Sequence, residues 1–95
     1  MRLMGLIFEW DEKKALSNIK KHGVSFEEAC TAFGDTLSIT VADIGHSEKE
    51  NRFVLIGKSI KNNTLVVVHL EESDAKIRII SARKATKNEQ RVYEG

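Results

Sequence analysis

Apolar residues change their spacing near Leu37, and that change divides the chain into a helical front and a stranded back. Phe26, Ala29, Cys30 and Phe33 recur at i, i+3, i+4 and i+7, the pattern of a helix buried along one side. Ser25 and Glu28 ahead of them predict a capping box, and Gly34 ends the segment. Ala15, Leu16 and Ile19 give an earlier helix its apolar face; it starts from an N-cap at Asp11 and runs to Lys21 or His22, where Gly23 stops it. Gly5 to Trp10 reads as a short strand before that helix. Beyond Leu37 the pattern predicts strands over Leu37 to Ala42, Arg52 to Ile60, Leu65 to Glu71 and Lys76 to Arg83. Lys61-Asn62-Asn63 and Glu72-Ser73-Asp74 are short polar connections of the hairpin kind, whereas Asp43 to Asn51 is longer and charged. Thr86 followed three residues later by Glu89 is a second capping box and starts a terminal helix. Apolar residues stand at successive positions in Phe53 to Ile56 and Leu65 to Val68, so the strand centres are covered on both faces and the sheet packs against helices. The expected fold is α+β: an antiparallel four-stranded sheet plus a short N-terminal strand, packed against two N-terminal helices, with a short C-terminal helix.

Composition narrows the class. Ninety-five residues without proline, repeats or a linker make one domain over 1–95 with a single core. The lone cysteine, Cys30, has no internal disulfide partner and falls on the apolar helix stripe, so it reads as a small core residue in a reducing, cytoplasmic setting. Leu3 to Phe8 is too short for a secretory segment, and nothing is long and apolar enough to span a membrane. One cysteine and three scattered histidines lack the close spacing of zinc sites, and there is no glycine-rich phosphate loop; no metal and no cofactor are expected.

The net charge of +1 conceals an uneven distribution. Met1 to Gly23 carries five Lys/Arg against three Asp/Glu, Val24 to Ala75 four against nine, and Lys76 to Gly95 six against two. Basic ends that converge in space can bind a polyanion, and basic helix faces and ends are also common on proteins that bind no nucleic acid. The stretch from Lys76 to Thr86 is the most telling, because it sets Arg78 and Arg83 on a β-branched strand that runs into a helix start. Guanidinium groups present forked donors that match phosphate oxygens, so Arg52, Arg78 and Arg83 are candidate phosphate ligands; their alternative is pairing with Glu50, Glu71 and Glu89. Arg78 and Arg83 are five positions apart, which on an unbroken strand puts them on opposite faces unless a bulge re-aims one.

The acid and base candidates are less distinct. Lys21 and His22 sit at the negative end of a helix dipole, where cations are favoured, and serve either a phosphate cleft or the last helical carbonyls. Glu50 is a possible base, or the partner of Arg52 two residues on. Tyr93 stacks on a base, donates a proton, or anchors the last helix. Ser81 reads as a hydrogen-bonding strand residue and not a nucleophile, His46 as an exposed loop residue and His69 as a satisfied core or edge histidine.

The ordered set Phe8-Glu9-Trp10-Asp11, Asn18, Lys21-His22-Gly23-Val24-Ser25-Phe26, Ala29, His46-Ser47, Glu50-x-Arg52, Gly57, Val66-Val67-Val68-His69, Arg78-Ile79-Ile80-Ser81-Ala82-Arg83, Glu89 and Tyr93 resembles the BrnT toxin family over nearly the full chain. The resemblance implies a RelE-like fold, a ribonuclease that arrests growth, and neutralisation by a BrnA-type antitoxin that is itself a ribbon-helix-helix DNA-binding protein, in a toxin-antitoxin hetero-oligomer. The chain ends two residues after Tyr93, so the longer C-terminal helix of some relatives is missing. With the resemblance added, the leading expectation is metal-independent RNA cleavage using Arg52, Arg78 and Arg83 with Lys21, His22 or Glu50, and with Ser81 and Tyr93 contacting substrate. A non-catalytic module that binds nucleic acid or protein is the alternative.

Overall fold

Two residues with positive φ, Met4 (56°) and Gly5 (76°), fold the N-terminus into a tight hairpin that pairs Leu3 with Leu6. A two-residue turn of this hand matches the twist of its flanking strands. The computed structural model describes residues 1–43, 45 and 51–95. Among them the order is β1 (Arg2–Leu3), β2 (Leu6–Glu9), α1 (Glu12–His22), α2 (Phe26–Thr31), a 3-10 turn (Ala32–Gly34), β3 (Ile39–Ala42), β4 (Arg52–Lys58), β5 (Thr64–Glu71), β6 (Lys76–Lys84) and α3 (Lys87–Glu94). The sheet order is β1-β2-β6-β5-β4-β3.

The α+β expectation holds, with the antiparallel set β3 to β6 in place and α3 following it. Two features differ from the reading of the sequence. The N-terminal strand is a hairpin of two, and its second strand joins β6 in parallel, with Glu9 beside Arg78, so the sheet is mixed. The chain leaves β2 into α1 and reaches β6 only after the helices and β3 to β5, a long connection that permits a parallel pairing where a hairpin does not.

Helix α1 begins where the Asp11 carboxylate accepts the amides of Lys13 (2.8 Å) and Lys14 (3.2 Å), and ends at Gly23, whose φ of 69° suits a residue without Cβ. Its inward face is a correction to the expected one. Ala15 is buried, but Leu16 and Ile19 are 62% and 44% exposed, and Asn18 takes the inner position. The capping box of α2 is also only half formed. Ser25 Oγ accepts the Glu28 amide at 3.0 Å, while the Glu28 carboxylate turns inward to accept Ser59 Oγ (2.7 Å) and Asn63 Nδ2 (2.9 Å). Those bonds tie α2 to the β4–β5 turn and explain how a carboxylate tolerates burial.

The core lies between the helices and one face of the sheet, with Phe8, Val24, Phe26, Cys30, Leu65, Val67 and Ile79 fully enclosed. Each of the valine, leucine, isoleucine and phenylalanine side chains among them contributes about 1.5–3 kcal/mol. Edge-to-face contacts run from Phe8 to Phe33 (5.1 Å) and from Phe33 to His69 (4.8 Å), and Phe53 stacks on His69 at 6.0 Å. His69 is thus a core histidine, its Nε2 3.2 Å from Glu71. Burial lowers its pKa, with Glu71 opposing the shift. Cys30 is buried as expected, and burial pushes its thiol up to about 12. Among the described residues no helix is long and apolar enough to cross a membrane.

Candidate functional site

The register of β5 and β6 slips by one between Val68 and His69: Val68 faces Ser81, His69 faces Ile79, and Ile80 has no partner across the ladder. An extra residue on one strand reverses the inside-outside alternation beyond it. Ile77, Ile79 and Ala82 therefore all point to the core, and Arg78, Ser81 and Arg83 all point away from it, level with Leu70, Val68 and Val66. Arg52 lies opposite Leu70 and so joins the same face. Arg52, Leu70, Arg78 and Glu9 form one row across the sheet, with Val54, Val68 and Ser81 in the next and Ile56, Val66 and Arg83 in the third. Arg52 and Arg78 are two strands apart, roughly 10 Å between backbones, and Arg78 and Arg83, level with Leu70 and Val66 across the bulge, are roughly 13 Å apart along the sheet. The longer spacing suits separate phosphates of one strand, while the shorter one lets two long guanidinium side chains converge on a single phosphate.

Beside this face runs a cleft between α1 and β6, a concavity of 190 Å3 lined by Lys14, Ser17, Asn18, Lys21, His22, Ile80 and Ser81. The last turn of α1 carries Lys20, Lys21 and His22, so its exposed carbonyl end and its cations meet the bulged part of the strand. Ser81 belongs both to the cleft and to the arginine face and joins the two. The expected residues Lys21, His22 and Ser81 are thus brought together, with Arg78 three positions before Ser81 and Arg83 two after.

Arg83 and Arg78 are each engaged by a carboxylate of the described residues. Arg83 grips Glu89 with both guanidinium arms, Nη1 to Oε1 at 2.7 Å and Nη2 to Oε2 at 2.8 Å. That fork holds the Glu89 carboxyl down to about 2, assisted by the Thr86 amide, which donates to Glu89 Oε1 at 2.8 Å. The Glu89 hydrogen bonds likewise raise the pKa of Arg83. Arg78 is 3.6 Å from Glu9, which also lies 3.6 Å from Lys76. A hydrogen bond with Glu72, together with these cations, lowers the Glu9 carboxyl, and the same contact raises Glu72.

Tyr93 sits elsewhere. Its hydroxyl donates to the Asp35 carboxylate, which also accepts the amides of Leu37 (3.0 Å) and Lys58 (2.8 Å). Burial acts to raise Asp35, and these bonds overcome it and hold the carboxyl low, while the Tyr93 hydroxyl is raised by its acidic partner. This corner opens on an apolar groove of 680 Å3 that includes Leu3, Met4, Leu37 and Ile60. Tyr93 is thereby an anchor of α3 and does not line the cleft. Glu50 and His46 lie outside the described residues.

Sequence reasoning assigned no role at the candidate site to Asn18, which lines the cleft, or to Glu9, which pairs with Arg78. A signal for Asn18 was present: it stands three residues after the buried Ala15, a polar residue on the inward stripe of a short helix.

Residues 10–89 match a protein family described as the ribonuclease toxin, BrnT, of type II toxin-antitoxin systems. The fold is similar to the crystal structure of the Brucella abortus ribonuclease toxin BrnT, with a TM-score of 0.67 and 21% identity, over 86% of this chain and 99% of that one. No curated protein sequence matches the chain.

Proposed function

The chain belongs to the BrnT family of ribonuclease toxins of type II toxin-antitoxin systems, and from that membership and the geometry we propose that it is an endoribonuclease that cuts RNA by metal-independent transesterification. Membership implies an antitoxin partner and an RNA target. The observation that carries the catalytic reading is the bulge at Ile80, which turns Arg78, Ser81 and Arg83 to one face beside the cleft holding Lys21 and His22.

In this reading the ribose 2′-oxygen loses its proton to a base and attacks the adjacent phosphorus. The bond from phosphorus to the 5′-oxygen breaks, leaving a 2′,3′-cyclic phosphate, and the departing 5′-oxygen takes up a proton from an acid to become a hydroxyl. His22 and Lys21, at the end of α1, are the groups we assign to proton transfer, with Glu50 as a further candidate base. Arg52 and Arg78 stabilise the charge that grows on the phosphoryl oxygens, and Arg83 and Ser81 bind the flanking strand. The partner we assign is a BrnA-type ribbon-helix-helix antitoxin in a hetero-oligomer, and the setting is the cytoplasm.

Incubation of the purified protein with total RNA in EDTA tests this proposal. Fragments with 5′-hydroxyl ends, absent with an Arg78→Ala control, are expected; intact RNA counts against catalysis. One observation favours a second reading, a binding module without chemistry: Arg83 is already held by Glu89. RNA binding that weakens steeply with salt, with no cut product, selects that reading.

A further inference from the structure

Strand β2 pairs with β6 only as far as Arg78, after which the chain departs into α1. Among the described residues, the outer edge of β6 beyond that point has no neighbouring strand. At Ala82 a side chain takes the strand's place: Asn18 Nδ2 donates to Ala82 O at 2.8 Å, and Ala82 N donates to Asn18 Oδ1 at 3.2 Å. The same Nδ2 donates to Val24 O at 2.9 Å, just past the end of α1. Asn18 is 94% buried, its carboxamide reproducing the donor and acceptor of a peptide group.

We propose that Asn18 is a positioning residue of the RNA site. Its three bonds fix the last turn of α1, with Lys21 and His22, against the residue that follows Ser81. Asn18 touches no substrate in this account; it sets the spacing between the cations of α1 and those of β6. A carboxamide suits the task because it supplies both polarities at once. Aspartate matches its shape but lacks the donors, and alanine offers neither. A misplacement of the order of 1 Å at a reacting centre costs about a hundredfold in rate, and the loss falls on kcat when binding is spread over several cations.

The inference rests on the ribonuclease reading, so its test separates the two. RNA cleavage is measured for wild type, Asn18→Ala, Lys21→Ala and the double variant, each confirmed folded by thermal melting. The expected result is a kcat for Asn18→Ala lowered about a hundredfold, KM changed less than about threefold, and a double variant little worse than the poorer single one, since both act through the same cation. Multiplying effects, or a wild-type rate in folded Asn18→Ala, overturns the inference. Should Asn18→Ala not fold, Asn18→Asp replaces it in the same cycle. A readout without RNA is hydrogen exchange at the Ala82 amide, which is slow in wild type and fast in Asn18→Ala; fast exchange in wild type rejects the tie itself. Wild type that leaves RNA intact while the Ala82 amide is protected defeats the nuclease reading and, with it, the positioning role, and leaves the tie as a fold contact.

Discussion

Arg78 and Arg83, five positions apart on one strand, present their side chains to the same face of the sheet because Ile80 is a bulge between them. Without the bulge, Arg83 would point to the side that Ala82 faces, and one of the two cations would be turned among apolar side chains, where burying a charge is costly.

Glu89→Gln isolates the clasp between Arg83 and α3. Glutamine still serves a capping box, so the helix start survives and only the charge pair is lost. Arg83 and Glu89 are 40% and 27% exposed, so solvent screening limits the stability loss to about 1 kcal/mol or less. Glu89 is depressed to about 2, so its stabilisation is present above its ordinary value and disappears as the pH falls toward 2. Urea titrations between pH 5 and pH 2 should show this slope in wild type and a flatter one in the variant. Equal slopes contradict the clasp.

His69 makes stability depend on pH in the opposite part of the scale. Its pKa is lowered on folding, so the unfolded chain takes up a proton first; stability is complete above the unfolded value near 6.5 and declines as the pH drops below it. The decline is at most about 1.4 kcal/mol per pH unit. Denaturation at pH 7.5, 6.5 and 5.5 measures it, and His69→Asn should remove that part of the slope even though the variant is weaker throughout. A wild-type stability flat across this range speaks against a neutral buried imidazole.

Gly57 should tolerate no side chain. A Cβ there would stand 2.9 Å from the Ala32 carbonyl oxygen and 3.0 Å from Leu55 Cδ2, and the first of these is backbone that yields little. Gly57→Ala is expected to lose about 1–3 kcal/mol in a urea midpoint measurement. An unchanged midpoint means that the 3-10 turn moves away from β4 freely.

Much of this arrangement was legible beforehand. Asp11, Gly23, Thr86 and Glu89 mark helix ends through chemistry local to a few residues, and such chemistry does not depend on the rest of the fold. The bulge was legible only as a condition, because an extra residue in a ladder is decided by the partner strand and leaves no periodic trace in β6 itself. The inward face of α1 was misread for a similar reason. Leu16 and Ile19 have the spacing of a core stripe, yet the unpaired edge at Ala82 draws Asn18 inward and turns them outward. Parallel pairing of β2 with β6 joins distant segments, and no short-range pattern encodes it. Of the site residues, Lys21 and His22 were named from local context and Ser81 as a substrate contact only with the family resemblance, but that the three line one cleft follows from tertiary packing alone.

The central claim is that cations from α1 and from the outward face of β4 and β6 bind one RNA strand together. Its most direct test is the affinity of a 2′-deoxy oligonucleotide, which binds without being cut, measured across a salt series for wild type, Lys21→Ala, Arg52→Ala and Arg78→Ala. Each substitution should weaken binding and reduce the slope of log affinity against log salt by about 0.7, the share of one phosphate contact on a single strand. Affinities and slopes that all match wild type contradict the claim, because the cations would then lie outside the path of the nucleic acid.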